Sequence, residues 1–307
     1  MKYSADRRSF IKTATAAAAA VSLGRLPAAL AASPELASES LGTGLWLFSG
    51  AGGNVVACKD STGVALVDGG LAAHSKELLK RVAKDTGTDK VHTLFNTHWH
   101  PEQTGSNLAL AGTASIIAHE NTRLWLQYAN PVPPQNQPYG PLPAKARPDK
   151  TFFWDSVQTR FGDETVEYGY LPQAHTDGDI YVFFRKSNVL VTGGPVSNQG
   201  WPVIDYKTGG WITGMSDAIK TLLKLANDQT RIVPANGPVM TRADLVAQDK
   251  MYADISGQLG KFLRQSLGPG EVIAKAPAAA YEAKMGDSKQ FLDQAFRSLW
   301  GHMAPDA

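Results

Sequence analysis

The sequence predicts a mixed α/β fold that closes on helices, and three patterns carry that expectation. From Gly42 onward short apolar runs alternate with turn residues, the signature of successive strands. A helix-like stretch over residues 74–84 then links these strands to a further one, as an αβ crossover does. The scheme recurs after residue 150, and two long segments with apolar residues three and four apart end the chain.

Leu45 to Phe48, Asn54 to Cys58 and Val64 to Val67 read as strands, and His74 to Lys84 as the crossover helix. Val91 to Asn96 is a strand running into a polar loop; Leu108 to Leu110 opens a connecting segment, Ser115 to Ala118 is a short buried strand, and Glu120 to Tyr128 a helix. Residues 129–150 hold seven prolines, from Pro131 to Pro148, too many for a helix or a central strand. They predict a long, stiffened loop, either a surface excursion or a flap that shapes a substrate site. In the second half, Thr151 to Trp154, Val157 to Thr159, Val166 to Tyr170, Ile180 to Arg185, Val189 to Thr192 and Arg231 to Pro234 read as strands. Met215 to Ala226, Arg242 to Leu267 and Ser288 to Trp300 read as helices.

With 43% hydrophobic and 19% charged residues over 307 positions, the composition is that of an ordinary globular protein and excludes disorder. Of the 30 Lys and Arg and the 28 Asp and Glu, residues 1–31 hold five basic (Lys2, Arg7, Arg8, Lys12, Arg25) and one acidic (Asp6), so the rest carries 25 against 27. So balanced a chain offers no electrostatic footprint for nucleic acid or an anionic membrane, and a small molecule is the expected partner. The single cysteine, Cys58, leaves no intramolecular disulfide and reads as a small buried hydrophobe.

The amino terminus runs Asp6-Arg7-Arg8-Ser9-Phe10-Ile11-Lys12, then an alanine-rich apolar stretch from Thr13 to Leu23, then Ala29-Leu30-Ala31. It resembles a bacterial twin-arginine signal peptide. The apolar run falls short of the roughly 20 residues that cross a bilayer, so cleavage after Ala31 is expected rather than anchoring. The resemblance implies the twin-arginine export machinery as a partner, a periplasmic or secreted location, and no membrane attachment after cleavage. Residues 32–41 are then a linker.

The chemistry concentrates in Asn96-Thr97-His98-Trp99-His100-Pro101-Glu102-Gln103-Thr104-Gly105. Side chains two apart on an extended stretch share a side, so His98 and His100 can present two imidazoles to one ion. Alone the pair is a weak signal, and a catalytic zinc needs three protein ligands. A third histidine follows in Pro172-Gln173-Ala174-His175-Thr176-Asp177-Gly178-Asp179. With Val67-Asp68-Gly69-Gly70 upstream and Val233-Pro234-Ala235-Asn236-Gly237-Pro238 downstream, these motifs stand in the order and spacing of the metallo-β-lactamase superfamily, which the chain resembles over roughly residues 41–245.

The resemblance implies a four-layer αββα sandwich with the metal at one edge between two sheets, a superfamily domain over 42–245, and a helical extension over 246–307 packed on it. His98, His100 and His175 match the three histidines of the first zinc site. The second site departs from the pattern: an Asp-His pair has become Glu102-Gln103, the bridging aspartate Gly194, and the last histidine Asn236. One Zn²⁺ is therefore the expected cofactor, with Glu102 as general base and Asp177 helping to position it. Asp68 matches an aspartate that holds the histidine loop, or simply ends its strand. His74, His92, His119 and His302 read as structural.

The implied activity is hydrolysis of a small ester, lactam or thioester-like substrate by zinc-activated water. The other reading is a catalytically reduced binding or accessory protein of a periplasmic oxidation system. The second-site differences disfavour antibiotic hydrolysis. Residues 129–150, Trp99 and Trp201 are expected to close over the metal and set the substrate.

Overall fold

The computed structural model describes residues 35–42 and 44–303, and the expected signal segment, residues 1–31, lies outside them. Seven strands form the first sheet, in the order Ala37–Gly42, Leu45–Ser49, Val55–Lys59, Val64–Val67, Val91–Phe95, Ser115–His119 and Lys150–Phe152. The first four are antiparallel neighbours; from Val64–Val67 onward the pairing is parallel. Five strands form the second sheet: Ser156–Phe161, Glu164–Tyr170, Ile180–Phe184, Val189–Gly193 and Arg231–Pro234, antiparallel except for the last pair.

Strand residues alternate between two separate cores, as the two-residue period of a pleated strand demands. Val56, Cys58, Ala65, Val67 and Phe95 of the first sheet face Val166, Val182, Phe184, Val191 and Val233 of the second. The intervening residues Val55, Ala57, Val64, Leu66 and Leu94 pack outward against Leu78 and Val82 of the Ser75–Thr86 helix. On the far side Tyr181, Phe183, Leu190 and Ile232 meet the Ile212–Leu225, Arg242–Arg264 and Lys289–Met303 helices through Ile219, Leu222, Tyr252, Ile255, Phe291 and Leu299. Helix, sheet, sheet, helix is the αββα sandwich, and helices close the chain.

The structure redraws two boundaries. Residues 37–41, expected as linker, belong to the Ala37–Gly42 edge strand, which pairs antiparallel with Leu45–Ser49. Polar residues at Ser38, Glu39 and Ser40 hid it, because an exposed edge strand has no apolar alternation to read. The Arg242–Arg264 helix crosses the expected division at 245/246, so the carboxy-terminal helices share one core with the second sheet. The strand expected over Thr151 to Trp154 in the second half is Lys150–Phe152, which pairs parallel with Ser115–His119 and completes the first sheet.

Loops from both sheets meet at one edge. The loop after Val91–Phe95 carries His98 and His100, and Thr97 O accepts from Ile180 N at 2.8 Å, joining it to the second sheet. Asn54 Nδ2 donates to Pro234 O at 2.9 Å and Gly237 O at 2.8 Å, fastening the first sheet's loop to the one after Arg231–Pro234. Truncating the fully buried Leu66 to alanine should cost about 2–5 kcal/mol in denaturant unfolding, through lost burial and a residual cavity. Trp154→Ala, at a position 65% exposed, should stay within about 0.5 kcal/mol of the parent.

Candidate metal centre

Asp68 ends the Val64–Val67 strand in a left-handed conformation (φ 65°), and its carboxylate faces the histidine loop. Oδ1 accepts from Thr97 N at 2.8 Å and Oδ2 from Thr97 Oγ1 at 2.9 Å, so Asp68 holds that loop. Burial pushes its carboxyl up to about 8, against the pull of both Thr97 bonds. Asn96 and Asn107 tie the loop's ends together by reciprocal amide bonds of 3.0 and 2.9 Å. Between them, a Cβ on Gly105 would fall 2.3 Å from Ala72 N and Gly70 O, so only glycine fits.

Each histidine has one nitrogen committed to a fixed partner. Thr97 Oγ1 gives its only proton to Asp68, so it accepts from His98 Nδ1 at 3.2 Å, which leaves His98 Nε2 as the bare nitrogen. His100 Nε2 donates to Asp205 Oδ2 at 3.0 Å, and His175 Nδ1 to the carbonyl of Val203 at 2.6 Å. Their bare nitrogens, His100 Nδ1 and His175 Nε2, face each other 3.1 Å apart. Two facing lone pairs repel unless a cation lies between them. One nitrogen from each of the three rings lies within 4.8 Å of the others.

Ligands about 2.0–2.1 Å from a tetrahedral zinc stand about 3.3 Å from one another, close to the 3.1 Å between His100 Nδ1 and His175 Nε2. Burial, then the His175 and His100 rings, holds His98 well below the ordinary histidine range. Burial and His100 bring His175 down to about 3, against the pull of Val203 O and Asp205. Both imidazoles therefore stay neutral, the form that binds metal.

The triad opens into a cavity of about 410 Å³. Glu102 lines it, half-buried, at the amino end of the short Pro101–Thr104 helix. Among the described residues, His98, His100 and His175 are the group of ligating side chains that converges on one point; Glu102 stands beside them in the wall. Asp177 does not reach the cavity. Its Oδ1 accepts from Trp125 Nε1 at 2.7 Å, and burial pushes its carboxyl up to about 6.

Gln103, Gly194 and Asn236 also line the cavity, and Gln103 is buried with its Oε1 unpartnered. At Gly194, a Cβ would lie 2.2 Å from His175 Cδ2 and 2.4 Å from its Cγ. The His175 ring occupies the volume that any side chain at position 194 requires.

Residues 130–139 of the proline-rich segment fold into a hairpin, Asn130–Val132 paired with Gln137–Tyr139, and Val132, Pro133, Pro134 and Tyr139 form one wall of the cavity. The segment is thus a flap over the site. Tyr139 anchors it, with its hydroxyl 2.7 Å from Thr104 Oγ1 and its ring stacked on Trp99. Trp201 lines the opposite wall as expected; Trp99 does not, being fully buried behind His100 with ring centroids 4.6 Å apart.

Sequence reasoning missed Asp205 and the Val203 carbonyl, the two groups that orient His100 and His175. A lone aspartate 105 residues beyond its histidine carries no spacing signal, and a carbonyl carries none at all. His119 is structural, as read: its ring stacks on Tyr170 at 3.9 Å and bonds the carbonyl of Phe153.

The family model described as "Metallo-beta-lactamase superfamily" matches residues 50–235. The chain belongs to that superfamily. A metallo-beta-lactamase from Pontibacter korlensis superposes with a TM-score of 0.58 at 16% identity, covering 72% of this chain and 100% of that one. One from Hirschia baltica gives 0.56 at 17%, covering 71% and 97%. Pisa1, a stereoselective inverting sec-alkylsulfatase from Pseudomonas sp., gives 0.64 at 14% identity over 89% of this chain, which spans 51% of its length. At such identities these likenesses establish the fold. No curated protein matches the chain significantly.

Two substitutions test how the superfamily chain holds its triad. Asp205→Asn should weaken zinc binding about 10–100-fold by loosening His100, read by competition with a chromophoric chelator. Gly194→Ala should also weaken it, by displacing the His175 ring, while the circular dichroism spectrum is retained.

Proposed function

We propose that this superfamily member is an exported hydrolase that works with a single zinc ion held by His98, His100 and His175. The observation that carries the reading is the agreement of three independently fixed tautomers: Thr97, Asp205 and Val203 each take one ring nitrogen and leave the other bare toward a common point. A zinc ion bound there supplies Lewis acidity toward a carbonyl and lowers the pKa of a coordinated water toward about 7.

The chain's own residues do the rest. Glu102, beside the triad in the cavity wall, takes the proton from the attacking water. Asp205 keeps His100 oriented and balances charge gathered at the site. The flap and Trp201 cover the acyl group and keep bulk water from the reacting centre. The substrate is a small ester, lactam or thioester-like molecule. Export rests on the Arg7-Arg8 motif and the apolar run behind it.

A single ion is favoured by the donor set around the triad, because Gln103 and Asn236 offer weak neutral donors and Gly194 offers none. Purified mature protein should carry close to one zinc per chain by atomic emission. Glu102→Gln should lower kcat on an activated ester by about 10²–10⁴-fold while leaving the zinc in place. Full activity in metal-free protein contradicts the proposal. Stoichiometric zinc without turnover of any acyl substrate instead favours a binding or accessory role.

A further inference from the structure

From the charge of the cavity wall, and resting on the hydrolase reading above, we infer that the non-reacting part of the substrate is uncharged and that substrates carrying an anionic group there are disfavoured. Among the described residues, those that line the cavity include neither lysine nor arginine, and their only carboxylate is Glu102. Lys207 donates its ammonium to Asn136 Oδ1 on the hairpin turn at 3.4 Å, and neither residue lines the cavity.

A carboxylate, sulfate or phosphate on the non-reacting part of a substrate would lose water on entering and find no ammonium or guanidinium in the wall to pair with. It would also meet the negative potential of Glu102. What the wall offers instead is five amides: Gln103, Gln135, Gln137, Gln199 and Asn236. Each amide presents both a carbonyl acceptor and an NH₂ donor, the complement of hydroxyl, ether and ester groups. Val132, Pro133 and Trp201 supply the apolar surface that a small organic ligand requires.

Two matched probe pairs test this on the full zinc-loaded chain. Turnover compares 4-nitrophenyl butyrate with 4-nitrophenyl hemisuccinate, and binding compares butyranilide with succinanilic acid by quenching of tryptophan fluorescence, Trp201 being in the wall. The neutral ester should be preferred in kcat/KM by about 100-fold, and the neutral anilide should bind at least about tenfold more tightly. Gln199→Lys, at an exposed wall position, should shrink both preferences by about tenfold.

Equal or better use of the anionic partner overturns the inference, as does a Gln199→Lys variant with unchanged ratios or a failure of both anilides to bind. Preferential binding of the neutral anilide with no ester turned over sustains the selection of uncharged ligands and overturns the hydrolase reading alone.

Discussion

The arrangement depends on a short relay of hydrogen bonds from the first sheet to the metal-facing edge: Asp68 accepts from Thr97, and Thr97 accepts from His98. Asp68 is 1% exposed and Thr97 is fully buried, so neither exchanges these bonds for water. A carboxylate this deep is costly unless its lone pairs are filled. Thr97 places one donor on each Asp68 oxygen, which fixes the threonine hydroxyl and with it the tautomer of His98. The left-handed turn at Asp68 belongs to the same constraint, since strain of that kind persists only where the surroundings over-determine it.

Around this relay the sandwich acts as a clamp. The histidine loop leaves one sheet and is bonded to the other through Thr97 O, while Asp205 and Val203 approach His100 and His175 from a third segment. The ligands thus come from loops whose separation is set by the packing of the two sheets on their shared core. A site assembled across such an interface is rigid because the core beneath it is close-packed. The flap is different: its wall of prolines limits backbone freedom, and side chains tie it down at its two ends through Asn130 and Tyr139 and at its turn through Lys207. Rigidity at the ligands suits a site whose metal geometry is fixed.

Much of this was legible in the sequence because the responsible features are local. Short apolar runs set between turn residues marked the strands from Val55 to Phe95 and from Val166 to Val191 within a residue or two at their ends. The His98-x-His100 pair and His175 stood out through the motifs that flank them. The edge strand at 37–42 was not legible, because its residues face solvent and carry no alternation. Asp205 was not, because its partnership with His100 exists only after folding brings residues 105 positions apart into contact. Asp177 illustrates the converse: its neighbourhood to His175 in sequence suggested a role that the chain direction denies it, since its carboxylate points to Trp125. Gly194 reads in sequence as the absence of an aspartate; in space the glycine is required by the ring of His175.

Three tautomer-locked imidazoles face one point, and the groups beside them are Glu102 and neutral amides, the donor set of the proposed single-ion centre. Zinc-edge X-ray absorption of the loaded protein tests it most directly. The account predicts a shell of three histidine nitrogens and one light oxygen donor at about 2.0–2.1 Å, with imidazole multiple scattering and no metal–metal vector. A zinc–zinc distance of about 3.5–4 Å, or a shell dominated by carboxylate oxygen, would contradict it.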